Sequence, residues 1–262
     1  MENYKIGFVG FGNMAQALVD GLLLKKAVAP QDLYACAKDY EKLRQNCAQR
    51  GINPCRDAQE VAQETDMVII AVKPYLVAEV LSPIREVLHE RAVVSVAAGY
   101  PFERYEEVLL PGTRHLSTIP NTPVSVGEGI IVCERRHSLS EEDYRHFERI
   151  FSQVGLVQPV ETSQLGVAGT VSGCGPAFAS MFLEALADAG VKHGLPRALS
   201  YRLASQMIVG TGALQLQSGA HPGVMKDAVC SPGGTTIKGV AALERGGLRA
   251  AVLDAIDAIE GK

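Results

Sequence analysis

The sequence predicts an α/β protein, with a mostly parallel sheet and its helices over residues 1–160 and an all-helical part over residues 161–262. Three observations support this. Short apolar runs alternate with helical spacing through the first part, which is the pattern of βαβ units. No comparable strand pattern follows residue 160. The second part also holds 16 of the 26 glycines, so its helices can approach closely.

The elements follow in order. Residues 5–10 (KIGFVG) read as a buried strand and 13–25 as the helix after it. Residues 32–37 form a second strand and 39–50 a second helix. Residues 67–72 (MVIIAV) are a clear strand, and a helix begins at Pro74, since proline suits the first helical position. Residues 92–97 and 115–119 read as further strands. A strand at 130–133, a helix at 141–153 and a strand at 156–160 complete the sheet. Beyond it, 165–190, 196–218, 222–229, 237–245 and 248–259 have helical spacing, with Gly or Pro at the joints.

Composition narrows the function classes. With 47% hydrophobic and 21% charged residues the 262-residue chain can bury a core, which excludes disorder and collagen-like repeats. The net charge of −4 gives no general electrostatic reason to bind nucleic acid or an acidic membrane surface. No continuous apolar run reaches about 18 residues, so no membrane span is expected. The start passes directly into a strand pattern, so no signal peptide is expected. Six cysteines without a CxxC pair match no zinc framework. A reduced cytoplasmic protein with no metal is the expectation. The cysteines read as small buried hydrophobes, and the histidines form no metal constellation. His221, before Pro222-Gly223, reads as a shaper of a helix joint, and His115 as a strand residue.

Gly10-Phe11-Gly12-Asn13-Met14-Ala15 is a GxGxxA fingerprint that follows a strand and opens a helix. Gly10 makes the tight turn, Gly12 lets a pyrophosphate approach, and Ala15 keeps the helix close to the strand. The helix N-terminus supplies amides for the anion. In this context the fingerprint predicts a Rossmann-type dinucleotide site. An acidic residue at the end of the second strand would bind the ribose of NAD(H). Here the chain reads Ala35-Cys36-Ala37-Lys38. Lys38 suits a 2′-phosphate and favours NADP(H) with NAD(H) also accommodated; it equally suits a solvated surface.

Ala71, Val72, Lys73 and Pro74 end the strongest strand, where ligands sit in open α/β sheets. Lys73 reads either as a phosphate or ribose contact or as a solvated strand end. In Pro120-Asn121-Thr122-Pro123 the prolines predict a stiff, non-helical loop, either against the nicotinamide or simply on the surface. In the second part, Ser231-Pro232-Gly233-Gly234 interrupts a helix and Thr235-Thr236 starts another. Such a helix start presents amides and hydroxyls to a small anion, while a helix joint with a Thr N-cap explains it as well.

These motifs, with Gly173-Cys174-Gly175-Pro176-Ala177 and Asp227, stand in the order and spacing of the pyrroline-5-carboxylate reductase family, which the chain resembles over nearly its whole length. The resemblance implies a Rossmann domain over 1–160 and a helical domain over 161–262 that interleaves with a second copy. It implies a homodimer, and in some members five dimers form a decamer. It implies an oxidoreductase that reduces 1-pyrroline-5-carboxylate to proline with NAD(P)H. Ser231, Gly233, Gly234, Thr235 and Thr236 would bind the substrate, with the Thr236 hydroxyl at the ring nitrogen as the catalytic group. Gly10, Gly12, Asn13, Met14 and Ala15 would hold the dinucleotide phosphates, and Pro120 and Asn121 would border the nicotinamide.

Two positions depart from the family pattern. Ile119 stands where Met is frequent. Cys174 replaces a serine in a stretch expected to make a backbone turn. Two rivals were weighed. A β-hydroxyacid dehydrogenase would call for a lysine early in the second part, and none occurs over 165–190. A non-catalytic NADP-binding sensor would have no evident need for the 231–236 loop.

Overall fold

The computed structural model describes residues 4–261, which divide into two compact units between Pro176 and Ala177. In the first unit, β1 (Ile6–Val9) leads into α1 (Asn13–Leu24), then β2 (Leu33–Cys36), α2 (Tyr40–Arg50), β3 (Asn53–Pro54), α3 (Ala58–Glu64) and β4 (Met67–Ile70). The helical stretch after β4 is broken into a 3₁₀ turn (Pro74–Leu76), α4 (Val77–Leu81), a second 3₁₀ turn (Ser82–Ile84) and α5 (Arg85–Leu88). There follow β5 (Ala92–Ser95), α6 (Phe102–Glu106), β6 (Arg114–Pro120), a 3₁₀ turn (Thr122–Val126), β7 (Gly129–Glu134), α7 (Glu141–Phe151) and β8 (Gly155–Val160).

The eight strands lie in the order β3-β2-β1-β4-β5-β6-β7-β8. All neighbours are parallel except β6 and β7, which run antiparallel. Strand order reverses at β1, between β2 and β4. The C-terminal ends of β1, β2, β4, β5 and β6 therefore share one edge, and the switch point beside β1 is where open α/β sheets bind ligands. β1, β4 and β5 are buried at every position, as expected for parallel strands covered on both faces. Alternate residues feed two cores: Ile6, Phe8, Ile69 and Val94 pack with Leu18, Leu22 and Phe147. Val9, Val68, Ile70 and Val93 pack with Val61, Leu81 and Leu88 on the other face.

Several expectations need correction. β3, α3 and α6 have no counterpart in the sequence reading; two, seven and five residues are too short to carry a period. The single helix expected from Pro74 is split, since Pro83 brings no N–H to an intrahelical bond. The loop after Pro120, expected to be non-helical, contains the 3₁₀ turn Thr122–Val126. Pro123 sits near its start, where no intrahelical N–H is needed. The turn expected at 173–176 is absent: these residues lie inside α8 (Thr162–Lys192), a helix with Pro176 in its interior.

α8 begins in the first unit and continues into the second. By length and composition alone it could cross a membrane, although no unbroken apolar run marks it in the sequence. Its first half is engaged with the sheet: a Cβ on Gly169 would meet Ile119 Cδ1 at 2.6 Å, so this helix face lies against the end of β6.

The second unit continues with α9 (Arg197–Ser218), α10 (Pro222–Ala228), α11 (Thr235–Arg245) and α12 (Leu248–Glu260). Among its described residues only Ala187, Ser200 and Ala204 are buried. Met181, Val209, Leu216, Val224 and Leu253 are more than half exposed.

Candidate active site

The β1–α1 turn is built to admit an anion. Gly10 has φ +95°, a region open to glycine. A side chain there would also strike the Ala71 carbonyl at 2.7 Å and Val72 Cγ1 at 2.9 Å. The Gly10 N–H donates to the Cys36 carbonyl at 3.0 Å, and the Ala71 N–H to the Val9 carbonyl at 2.8 Å. The turn is thus fastened to the ends of β2 and β4. A Cβ at Gly12 would meet nothing within 4 Å. Gly12 is the N-cap of α1, with no side-chain acceptor at the cap and no acid in the first turn. The N–H groups of Asn13, Met14 and Ala15 therefore face an open approach with nothing negative to compete, which fits the phosphates of a dinucleotide. Ala15 is buried beneath them.

A network missed in the sequence holds this turn. Gln16 Nε2 donates to the Phe11 carbonyl at 3.1 Å. Arg50, from α2, donates to Gln16 Oε1 at 3.3 Å and to Asp20 at 2.6 and 3.0 Å. Its guanidinium also lies 5.9 Å from the Phe11 ring centre. The Asp20 hydrogen bonds raise the Arg50 pKa further, so it is a permanent cation. No short motif reveals this, because Gln16 and Arg50 lie 34 positions apart.

Lys38 is exposed just beyond β2. The next residue, Asp39, caps α2 by accepting the Lys42 N–H at 3.0 Å. Pairing of Ala35 with Pro54 carries Arg56 to the same edge. Its guanidinium lies 5.2 Å from the Tyr40 ring centre. Arg56 is thus a second cation beside Lys38 that the sequence did not flag. The Cys36 thiol, pushed up to about 11 by burial, is uncharged at neutral pH. Beyond β4, Ala71 and Val72 are half-buried, Lys73 is exposed, and Pro74 opens the 3₁₀ turn.

The loop after β6 is braced on two sides. Pro120 is the last β6 residue and lies opposite Ile131. The turn Thr122–Val126 rests on α1 at Gly21, where any Cβ would collide with the Val124 carbonyl. Asn121 is 5% exposed. Its Oδ1 accepts the Ile130 N–H at 2.8 Å, and its Nδ2 donates to the Ser172 carbonyl in α8 at 3.0 Å. Its amide thus points into the fold, so whatever Asn121 offers a ligand comes from its backbone. Below the loop, His115 Nε2 lies 2.7 Å from Glu106 Oε1. Burial lowers the His115 pKa, against the opposing pull of Glu106.

In the second unit, the Gly234 N–H donates to the Ser231 carbonyl at 3.0 Å, closing a turn with Pro232 and Gly233 at its centre. Gly233 has φ +70°, and Pro followed by a positive-φ Gly is the type II signature. The turn delivers the chain to α11, whose N-cap Gly234 has no side-chain acceptor and whose first turn has no acid. Thr235 and Thr236 are exposed, as is Ser231. A Cβ on Gly234 would collide with Ser231 Oγ, so that hydroxyl sits over the helix start. An uncapped helix start with a hydroxyl beside it suits one small anion. The Thr N-cap expected as the alternative is not formed. His221 caps α10, its Nδ1 accepting the Gly223 N–H at 3.0 Å.

The dinucleotide residues thus share one edge of the first unit's sheet, and residues 231–236 form one loop of the second unit. The family model described as pyrroline-5-carboxylate reductase dimerisation matches residues 162–262. The model described as NADP oxidoreductase, coenzyme F420-dependent, matches residues 5–99. The chain is 44% identical over 257 residues to a pyrroline-5-carboxylate reductase of Treponema pallidum, covering 97% of each chain. It is 39% identical over 253 residues to that of Escherichia coli, covering 96% of this chain and 94% of the relative. Among solved structures, the Plasmodium falciparum pyrroline carboxylate reductase with NADP bound superposes with a TM-score of 0.87 at 30% identity, covering 98% and 96% of the two chains.

Proposed function

We infer the reaction from one premise: this chain belongs to the pyrroline-5-carboxylate reductase family. It is an NAD(P)-dependent oxidoreductase that reduces the ring imine of 1-pyrroline-5-carboxylate to L-proline, the last step of proline biosynthesis. The observation that carries this reading within the site is the uncapped N-terminus of α11 behind the Ser231–Gly234 turn, which suits a single carboxylate.

Gly10, Gly12, Asn13, Met14 and Ala15 hold the pyrophosphate at the start of α1. Ala71, Val72, Lys73 and Pro74 line the neighbouring strand end, and Pro120 and Asn121 border the nicotinamide. When bound, the reduced cofactor supplies a hydride from C4 of its ring to C5 of the imine. Ser231 and the amides of Gly233, Gly234 and Thr235 fix the substrate carboxylate, which leaves the ring one orientation. The Thr236 hydroxyl hydrogen-bonds the ring nitrogen and keeps its proton in place as positive charge leaves the iminium. This is mainly positioning catalysis: the protonated imine is already electrophilic, so a strong enzymic acid is not essential.

Lys38, with no free carboxylate at the ribose position, favours NADP(H) over NAD(H). The exposed apolar residues of the second unit support a homodimer, and light scattering distinguishes it from a decamer of five dimers. The cytoplasm is the proposed compartment, with no membrane or nucleic-acid partner. The test is the absorbance loss of NADPH, and separately NADH, with 1-pyrroline-5-carboxylate. Oxidation that depends on the imine and is faster with NADPH is expected. Cofactor binding without imine-dependent turnover would refute the reductase, and a strong NADH preference would refute the role of Lys38.

A further inference from the structure

In an α-helix the N–H of residue 176 would donate to the carbonyl of residue 172. Pro176 has no N–H, so within α8 the Ser172 carbonyl lacks that donor. Ser172 is buried, where water cannot readily take the donor's place. Instead, Asn121 Nδ2 donates to this carbonyl at 3.0 Å from a position 51 residues away. The other end of the same amide accepts the Ile130 N–H at 2.8 Å, and the Asn121 backbone N–H returns to the Ile130 carbonyl at 3.0 Å. One turn earlier on the same helix face, Gly169 lets α8 close onto Ile119. The two motifs that flank this contact are complementary: the proline of one frees a carbonyl, and the asparagine of the other takes it.

We propose that Asn121 is a positioning residue whose side-chain amide pairs with the helix carbonyl freed by Pro176, clamping the loop after β6 to α8 and thereby setting the hydride-transfer geometry. Its side chain acts through the loop and does not touch the reacting atoms. The effect on catalysis rests on the reading above, in which Pro120 and Asn121 border the nicotinamide; the clamp itself does not.

Two measurements on the full chain test this. The first is an unfolding cycle with Asn121→Ala, Pro176→Ala and the double variant, which needs no turnover. Pro176→Ala restores an N–H to the Ser172 carbonyl, so Asn121→Ala should cost clearly less in that background. Equal costs in both backgrounds would overturn the clamp.

The second is the pH profile of kcat for Asn121→Asp. A protonated carboxyl can both accept from Ile130 and donate to Ser172, whereas a carboxylate cannot donate. The segments that meet here, 119–130 and 165–176, carry only Glu128 and Cys174 as other titratable groups. From the end of α1, which packs on the loop, Lys25 lies against Gly127. The expected result is a kcat about 10–100-fold below the parent at alkaline pH. It should recover as pH falls, with the KM for NADPH little changed. A fall in kcat without recovery at low pH, or no fall at all, would overturn the positioning role. If Asn121→Ala does not fold, Asn121→Asp at low and high pH carries the unfolding cycle in its place. A parent protein without imine reduction would refute the reductase reading and with it the catalytic effect, while the unfolding cycle would still decide the clamp.

Discussion

In the first unit β1, β4 and β5 are buried at every position between helices of the same chain, and Phe8, Leu22, Ile69 and Phe147 are fully buried. In the second unit the helices are equally apolar, yet Val209, Leu216 and Leu253 stand more than half exposed. Both stretches have the composition of a core, but only the first contains both sides of one. Apolar exposure on that scale marks an interaction surface, which agrees with the match of residues 162–262 to a dimerisation family. The first unit thus closes on its own packing, whereas the second leaves apolar helix faces uncovered, which is what the proposed homodimer would cover.

The sharpest way to break this contrast is Val209→Asp. A buried unpaired carboxylate at a dimer contact should weaken association by more than about 3 kcal/mol. Light scattering should show monomer while NADPH titration still reports binding; an intact dimer would refute the assignment of this face. Next in size is Thr236→Ala, which removes a hydroxyl from the second unit's loop. A fall in kcat/KM of about 100-fold with an unchanged NADPH dissociation constant is expected. An unchanged kcat/KM would discard the role.

Within the first unit, Gly21→Ala would drive a Cβ into the Val124 carbonyl and should cost about 1–3 kcal/mol in urea unfolding. Lys38→Ala should raise the KM for NADPH about tenfold and leave that for NADH unchanged, as for loss of one charged hydrogen bond. Equal effects on both cofactors would place Lys38 away from the 2′-phosphate.

The smallest effect concerns His115. Burial holds its pKa below the ordinary 6.5, so below 6.5 the unfolded chain takes up a proton that the folded chain resists. Its contribution to stability is full above 6.5 and is lost as pH falls from there through the lower folded value. Urea unfolding at about pH 7.5 and about pH 5.5 should show this loss in the parent and a smaller one in His115→Gln. Parallel losses in the two would exclude His115 as its source.

The sequence by itself determined the βαβ alternation, the glycine turn after β1 and the helix start at Thr235. Each is written in local chemistry: a period of two or 3.6, a glycine where a side chain would collide, a Pro-Gly-Gly break before a new helix. That this helix start has no side-chain cap was decided by the structure. The order of motifs along the chain was enough to point to the family. The tertiary structure decided what depends on residues distant in sequence. Arg50 reaches Gln16 and Asp20 only because α2 packs beside α1, and Arg56 arrives beside Lys38 only through the β2–β3 register. Asn121 was readable as a loop residue, and Pro176 as part of a stretch expected to make a backbone turn. That one answers the other could not be read locally, because a helix carbonyl left free by proline accepts whichever donor the fold brings to it.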